Sequence, residues 1–415
     1  MRNFFMGILV LTVLTSPVIA QQSCYSFEYQ QQALRNNPGL TVAVQQVEQF
    51  ILTQQGSAPV LQTASIGKGN PLITIPVVVH VIYNKAAENV SDQAIANMIK
   101  TLNLCFRKMH PDTIKTPARF NGLSADCEIE FKLATSDPQR RATTGIIRKY
   151  TPASNWDTDD KVKFAAQSGD NAWDAKSYLN IWICNLRYAD GYSSIPGDEA
   201  AKDGIVLSYG ALGKTVVHEV GHWLGLKHIW GDEFCGDDGI DDTPPQSTAT
   251  PGCASGIRIS CSNGPDGDMY MNYMDVTKDA CVNLFTKGQK KRMQALFKNG
   301  GLRYSLFAST GLKEPLYQET PLPQDTATAT RPTILKQPTL FPNPASNEVT
   351  LDLGNDLQWV GKAVYISNAQ GLTVMQHQVS AKLQRIDVSR LKAGMYFLNA
   401  KREDGVTIKQ KFIKL

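Results

Sequence analysis

The sequence is short of histidine, with six in 415 residues, and it contains no Cys-x-x-Cys pair. It has no block of lysines and arginines, and its net charge is a small +4. Beyond the first twenty residues no apolar run approaches the ~20 needed to cross a bilayer. Each shortage excludes something. Without a basic stripe nothing can track a nucleic-acid backbone, so no nucleic-acid partner is expected. Without a Cys-x-x-Cys pair, a second metal site built on cysteines is not expected. Without a second long apolar run, no transmembrane segment is expected. What is present suits packed cores: 42 % of residues are hydrophobic, and the length suggests two or three domains.

Residues 1–20 are not expected to join the fold. Arg2 gives a positive start, Phe4 to Leu14 is an apolar run, and Val18-Ile19-Ala20 has small residues at −3 and −1 of a cleavage site. This is the pattern of a secretory signal peptide; a single-pass anchor is the alternative. Export makes the eight cysteines interpretable, because an oxidising compartment permits disulfides. Cys235, Cys253, Cys261 and Cys281 cluster in a loop-rich stretch and suit staples better than a second metal site.

Residues 21–68 are Gln-rich, with helical character around Val42 to Thr53, and form a small N-terminal segment. Ile73 to Tyr83 has the continuous apolar character of a strand buried on both faces. Ser91 to Lys108 has helical spacing, Glu128 to Ala134 alternates like a half-buried strand, and Tyr178 to Cys184 and Gly204 to Tyr209 are further strands. Lys214 to Leu226 is a helix ended by Gly225. Residues 231–283, rich in Gly, Pro, Asp and Cys, form a long irregular loop, and Thr286 with Gln289 makes a capping box for a helix to about Lys298. A Pro/Thr-rich linker covers 311–337. After it, Val349 to Leu353, Ala363 to Ser367, Leu372 to Gln376, Met395 to Ala400 and Val406 to Ile413 are short alternating strands of a small β-sandwich.

Three of the six histidines fall within eleven residues. His218 and His222 are four apart, so a helix projects both from one face. Gly225 lets the chain turn and return His228 as a third ligand. Three nitrogens around zinc leave a fourth position open, as in catalytic rather than structural sites. Zinc acidifies water, and Glu219, one step round the helix, is placed to accept the water's proton and hand it to a leaving amine. The bland alternative is an amphipathic helix with incidental histidines. Gly225, His228 and the signal peptide argue against it.

His218-Glu-Val-Gly-His-Trp-Leu-Gly-Leu-Lys-His228 fits the metzincin signature, and Asn272-Tyr-Met-Asp275 fits its Met-turn at Met274. With Trp230-Gly-Asp, Asp242-Thr-Pro and Asp279 to Thr286, residues 69–310 resemble the pappalysin family. The resemblance implies an α+β fold class: a two-lobed metzincin-like zinc peptidase domain split by an active-site cleft. It implies an endopeptidase acting on proteins and peptides. It also implies the pairings Cys235–Cys261 and Cys253–Cys281. It implies structural calcium at Asp238, Asp242 and Thr243, in a stretch with six acidic residues in eleven; a solvated acidic loop is the alternative. It implies a pocket acid, Asp279, for Arg or Lys after the scissile bond, with an ordinary surface acid as the alternative. Residues 21–68 become a pro-segment in which Cys24 supplies a thiolate to the open zinc position; a disulfide with Cys184 or another thiol is the alternative. Cys105 and Cys127 are a further candidate pair. Relatives carry Tyr two residues after the Met-turn Met, and here that position is Val276. Stabilisation of the tetrahedral intermediate then falls to zinc alone, to Tyr273 or to another group, and turnover is expected to be lower.

Phe341-Pro-Asn-Pro-Ala-Ser, Val388 to Tyr396 and Lys411 to Leu415 resemble the type A sorting domain of the type IX secretion system, which implies an immunoglobulin-like sandwich over 338–415 and the secretion machinery as partner. An accessory β-domain that binds matrix or substrate is the alternative. The expected protein is secreted or cell-surface. Two rival functions stand beside the peptidase: a surface-binding protein with a dead zinc domain, and a zinc hydrolase of non-peptide substrates. Intact Glu219 argues against the first and the Met-turn against the second.

Overall fold

The structure, a computed structural model, describes residues 22–55, 72–316, 338–353, 356–402 and 406–415. The expected signal peptide and most of the linker lie outside them. The chain divides into two compact units, Met1–Thr320 and Pro321–Leu415.

The first unit is built on a mainly parallel sheet. In chain order its strands are β1 (Gln22–Cys24), β2 (Ile73–Tyr83), β3 (Ile129–Leu133), β4 (Ile146–Tyr150), β5 (Leu179–Cys184), β6 (Ala189–Ser193) and β7 (Ile205–Ser208). Their order across the sheet is β1-β6-β7-β5-β2-β3, with β4 also on β2. At eleven residues β2 outruns any one neighbour, so β3 pairs along its Ile73–Val77 part and β4 along Val79–Tyr83. Apolar residues without alternation make β2 the centre of the core, as its sequence requires. Strand β6 runs antiparallel to β7, the one reversal among these pairings. It turns an edge toward β1, which pairs with it in parallel.

The helices follow their caps and stripes. α1 is Ser26–Asn36, α2 Pro38–Gln55, α3 Asp92–Phe106, α4 Ala118–Asn121, α5 Thr215–Trp223 and α6 Lys287–Ala295. Ser91 caps α3 by accepting from the Ala94 amide, and Ile95, Met98, Ile99, Leu102 and Phe106 form its buried stripe. The capping box of Thr286 and Gln289 opens α6. Both α5 and α6 end earlier than their sequence pattern suggests. No helix or strand lies between α5 and α6, as the composition of that stretch requires.

The N-terminal segment is more ordered than its composition suggests. It forms β1, α1 and α2, and it packs on the peptidase body. Ile51 joins the main core, and Arg292 of α6 donates to Glu48 at 2.8 Å. Strands β4 and β6 were also hidden in the sequence. Ala189-Asp-Gly-Tyr-Ser has the composition of a turn, and only its neighbours make it a strand.

The second unit is all β. Its strands are β8 (Thr339–Phe341), β9 (Glu348–Asp352), β10 (Ala363–Asn368), β11 (Thr373–Gln378), β12 (Leu383–Asp387), β13 (Gly394–Lys401) and β14 (Thr407–Lys414). They make one sheet ordered β11-β10-β13-β14 and another ordered β12-β9-β8. Val349, Leu351, Ile366, Leu398 and Phe412 share one core between them. Arg402 makes a buried ion pair with Asp356 and stacks on Trp359, 4.8 Å from the ring centre. The sequence hid β12 because its inward positions include Gln384 while Leu383 faces out.

Candidate active site

α5 delivers the first two histidines and is held at both ends. At its start the Lys214 amide donates to Asp279 Oδ2 at 2.6 Å, placing a carboxylate at the positive end of the helix. Lys214 Nζ bonds Asp112 Oδ2 and the carbonyls of Asp279 and Val282, at 2.6–2.8 Å. At its end Trp223 donates to Asp203, and Arg303 pairs with Asp203 while stacking 3.8 Å over the Trp223 ring. Gly225 has φ +82°, the left-handed turn that stops the helix and sends the chain back toward His228.

The three imidazoles converge. His222 Nε2 lies 3.1 Å from His218 Nε2 and 3.3 Å from His228 Nε2. Each ring donates from Nδ1: His218 to the Tyr273 carbonyl at 2.7 Å, His222 to the Leu226 carbonyl at 2.9 Å and His228 to the Asp232 carboxylate. That fixes the tautomer and leaves three Nε2 lone pairs pointing at one another. Burial, then the neighbouring histidines, holds the His218 and His222 imidazoles well below their ordinary range, His218 at about 3. Converging lone pairs on neutral rings are what a cation requires. Tetrahedral nitrogens around zinc stand about 3.3 Å apart at ordinary Zn–N lengths, so the donor set fits that ion.

A fourth donor completes the group. Cys24 Sγ lies 3.5 Å from His222 Nε2, and all four ligand atoms fall within 4.8 Å of one another. Among the described residues no other group of His, Cys, Asp and Glu clusters this way. The thiol comes from the N-terminal segment through β1, whose Cys24 pairs in register with Gly191 of β6.

Glu219 is fully buried beside this centre. Its Oε2 accepts from Ser26 Oγ at 2.6 Å, and Ser26 Oγ in turn accepts from the Ser193 amide at 2.8 Å. Its Oε1 meets no oxygen or nitrogen donor among the described residues, and the Cys24 thiol lies against the carboxylate. Burial pushes the carboxyl up to about 8. Gly191 makes room for it, since a Cβ there would stand 2.9 Å from Glu219 Cγ.

Met274 lies beneath α5, with its sulfur 2.4 Å from where a Cβ on Gly221 would stand. Gly221, between the two helical histidines, is what lets the methionine approach. Asn272 Oδ1 accepts the Met274 amide at 2.9 Å, and its Nδ2 donates to Gln289 Oε1, tying the turn to α6. Trp230 stacks on His228 at 4.3 Å.

Several expectations meet a definite outcome. Cys235–Cys261 and Cys253–Cys281 are disulfides. Cys105 and Cys127 do not pair, and neither do Cys24 and Cys184; all four are buried free thiols. Cys105 instead faces the Tyr273 hydroxyl, and Tyr273 packs on Phe285 in the core. Tyr273 is therefore spent on packing, and the Val276 position gains no substitute from it. Asp279 is exposed, and of its two carboxylate oxygens only Oδ2 has a hydrogen bond among the described residues. Asp190 on β6 feels its charge: burial first, then Asp279, raises the Asp190 carboxyl. Asp238 is buried and accepts from the Thr243 hydroxyl at 2.9 and 3.0 Å. Asp242 accepts from Thr286 Oγ1 at 2.6 Å and from the Gly288 amide at 2.9 Å, so it caps α6. Sequence reasoning passed over Asp232, Ser26, Gly191 and Gly221. Asp232, four residues after His228, carried a readable signal; the others act only through tertiary approach.

The fold and this arrangement describe a metallopeptidase of the metzincin class, and comparison with known proteins narrows it. Residues 163–298 match the family described as Pregnancy-associated plasma protein-A, the pappalysins, and 339–415 match the Secretion system C-terminal sorting domain. Mature mirolysin of Tannerella forsythia, solved with a cleaved peptide, is 43 % identical with TM-score 0.56, covering 57 % of this chain and 96 % of its own. A promirolysin variant of the same organism is 39 % identical with TM-score 0.62, covering 69 % and 97 %. An extracellular metalloprotease of Neurospora crassa is 34 % identical over 42 % of this chain and 63 % of its own. One of Pyricularia oryzae is 51 % identical over 21 % and 30 %. The match thus spans less than two thirds of the length of these curated relatives. The chain belongs to the pappalysin family of metalloendopeptidases. The sorting domain and the extracellular relatives place it among secreted or cell-surface proteins. No helix among the described residues is long and apolar enough to cross a membrane.

Proposed function

We propose that the chain is a zinc endopeptidase made as a latent precursor, exported by the type IX secretion system, with Glu219 as its general base. The convergence of three Nδ1-tethered histidines beside a buried carboxylate carries this reading. His218, His222 and His228 would hold zinc, which supplies Lewis acidity toward water and the peptide carbonyl. The protein does the rest. Glu219 Oε1 takes a proton during attack and returns it to the leaving amine. The β6 edge, once β1 leaves, offers its backbone groups to an extended substrate strand. Trp230 and Met274 support the ligands from either side.

Atomic emission should find one zinc per chain, and His222→Ala should lose it. Equal zinc content in the two proteins would remove the three-histidine site.

In this reading Cys24 is the latency thiol and residues 21–68 are the pro-segment. Its support is the thiol's place among the three imidazoles and the likeness to a proenzyme. We read Asp279 as the acid that favours Arg or Lys after the scissile bond; its free oxygen and the nearby Asp190 supply negative charge there. Val276 offers no donor, and lower turnover than in relatives follows.

We further propose structural calcium at Asp238, Asp242 and Thr243. Burial raises the Asp238 carboxyl to about 7, although Arg292 and the hydrogen bonds from Thr243 and the Ile240 amide partly offset it. A carboxyl raised on folding binds more protons in the native state, so the calcium-free protein loses stability as pH rises from about 4 through 7. Calcium should remove that loss, so its effect on Tm should be small at pH 5 and larger at pH 8. A Tm gain independent of pH, or none, would reject Asp238 as a ligand.

A further inference from the structure

The N-terminal segment makes another contact whose geometry differs from those of the thiol and the serine. Tyr29 of α1 is buried, and its hydroxyl donates to Asp160 Oδ2 at 2.7 Å and approaches Asp198 Oδ2 at 3.3 Å. Its ring lies 4.8 Å from that of Tyr192, and the Lys163 ammonium sits 5.3 Å from its centre. The groups that meet its hydroxyl and the face of its ring belong to the peptidase body, and those groups hold one another. Lys163 is fully buried; its Nζ donates to the Lys202 carbonyl and pairs with Asp160 Oδ1, each at 2.8 Å. The same ammonium lies 5.0 Å from the Tyr192 ring and 5.5 Å from Trp182. Tyr192 Oη donates to Asp160 Oδ1 at 3.3 Å.

Asp160 Oδ1 is thus held by two groups of the peptidase body, Lys163 and Tyr192, that do not involve Tyr29. Its Oδ2 is left to be met by a donor arriving from outside. An aromatic face on one side, an ammonium above and two carboxylates at the end specify a phenol. A phenylalanine would leave the acids without their donor. A phosphorylated tyrosine would bring like charge against Asp160 and Asp198. The remainder of this interface is less filled: a cavity of about 420 Å³ lies beside Tyr29, lined by Gln32, Asn36, Thr158 and Glu199 among others. Beyond Ser26 at its first position, the phenol is thus the close-fitting contact of α1.

We propose that the peptidase body carries a preformed tyrosine socket, made by Asp160, Lys163, Tyr192 and Asp198, whose ligand is the chain's own N-terminal segment after its covalent link is cut. The segment would then remain as a bound inhibitor after cleavage, and release from the socket would be a step of activation separate from the cut. This rests on the latent-precursor reading above. Tyr192 adjoins Gly191, against which Glu219 packs, so the socket and the catalytic base lie either side of one strand.

The test uses the full chain as Glu219→Gln, to prevent self-digestion, with a specific protease site placed within 56–71 and cut after purification. The cut fragment should co-elute with the body. Synthetic copies of residues 22–55 are then used to displace it. A Tyr29→Phe copy should need at least about ten-fold more peptide than the natural one, the size of a lost hydrogen bond to a carboxylate. A copy phosphorylated at Tyr29 should need more still. A Cys24→Ser copy reports on the thiol separately, so failure of the thiol reading and failure of the socket are distinguishable. Equal displacement by the natural, Phe and phosphorylated copies would overturn the proposal, as would immediate loss of the fragment on cutting. Because the compared changes lie in the peptide, every arm reads against the same body, and co-elution of its own fragment reports that this body is folded.

Discussion

Glu219→Gln should lower kcat/KM of the processed enzyme by about 10³-fold, within the range for losing a general base, while zinc content stays at the level of the parent. The expectation follows from where the carboxylate stands. It lies on the same helix as two ligands but donates nothing to their convergence; the Nδ1 tethers of all three histidines run to Tyr273, Leu226 and Asp232. Gln keeps the shape and the capacity to accept from Ser26, so folding and latency contacts persist. It cannot take a proton. Turnover within a few-fold of the parent would assign the base to another group. Loss of zinc along with activity would show that the carboxylate holds the site together rather than acting in it.

The second large effect is expected at Cys24. Cys24→Ala in the uncut precursor should raise peptidase activity, or the rate of self-processing, by at least about ten-fold over a near-silent parent. The thiol is the fourth donor of the group, and a methyl has no lone pair to put there. Release should nonetheless be partial. Ser26 still occupies Glu219 Oε2, β1 still covers the β6 edge, and Tyr29 still holds α1 down. Ser26→Ala alone should therefore do less than Cys24→Ala, and the two together more than either. A Cys24→Ala precursor as silent as its parent, with zinc bound, would move latency from the thiol to those other contacts.

How much of this was legible in the sequence depends on how local the cause was. The five residues from His218 to His228 could be read because helical periodicity and one left-handed glycine suffice to gather them. Strand β2 was legible because eleven residues without polar alternation fit little else. Met274 was legible only through resemblance, and its reason appeared in the structure: Gly221 leaves the space that its sulfur enters. Strands β1 and β6 were not legible. One has three residues, the other has the composition of a turn, and each is a strand because the other lies beside it. Ser26 was invisible for the same reason, since nothing in Cys-Tyr-Ser says that the serine reaches a glutamate 193 residues away. In the acidic stretch 232–242 the calcium candidates are Asp238, Asp242 and Thr243; what the sequence does not show is that Asp232 orients His228, that Asp242 also caps α6, and that Asp238 is buried against Thr243. Cys105 and Cys127 were candidates for pairing because an exported chain permits it. The fold keeps both as core thiols instead, one facing Tyr273 and the other fully buried.

The central claim, a zinc endopeptidase, is tested most directly by mapping its cuts. The processed protein is incubated with a mixture of peptides from a digested proteome, and new termini are read by mass spectrometry after metal removal, after zinc is restored and in the untreated enzyme. The account predicts internal cleavages enriched for Arg or Lys after the scissile bond, absent when the metal is removed and recovered with zinc. Cleavages that persist without metal, or none in the zinc-loaded enzyme, would contradict it.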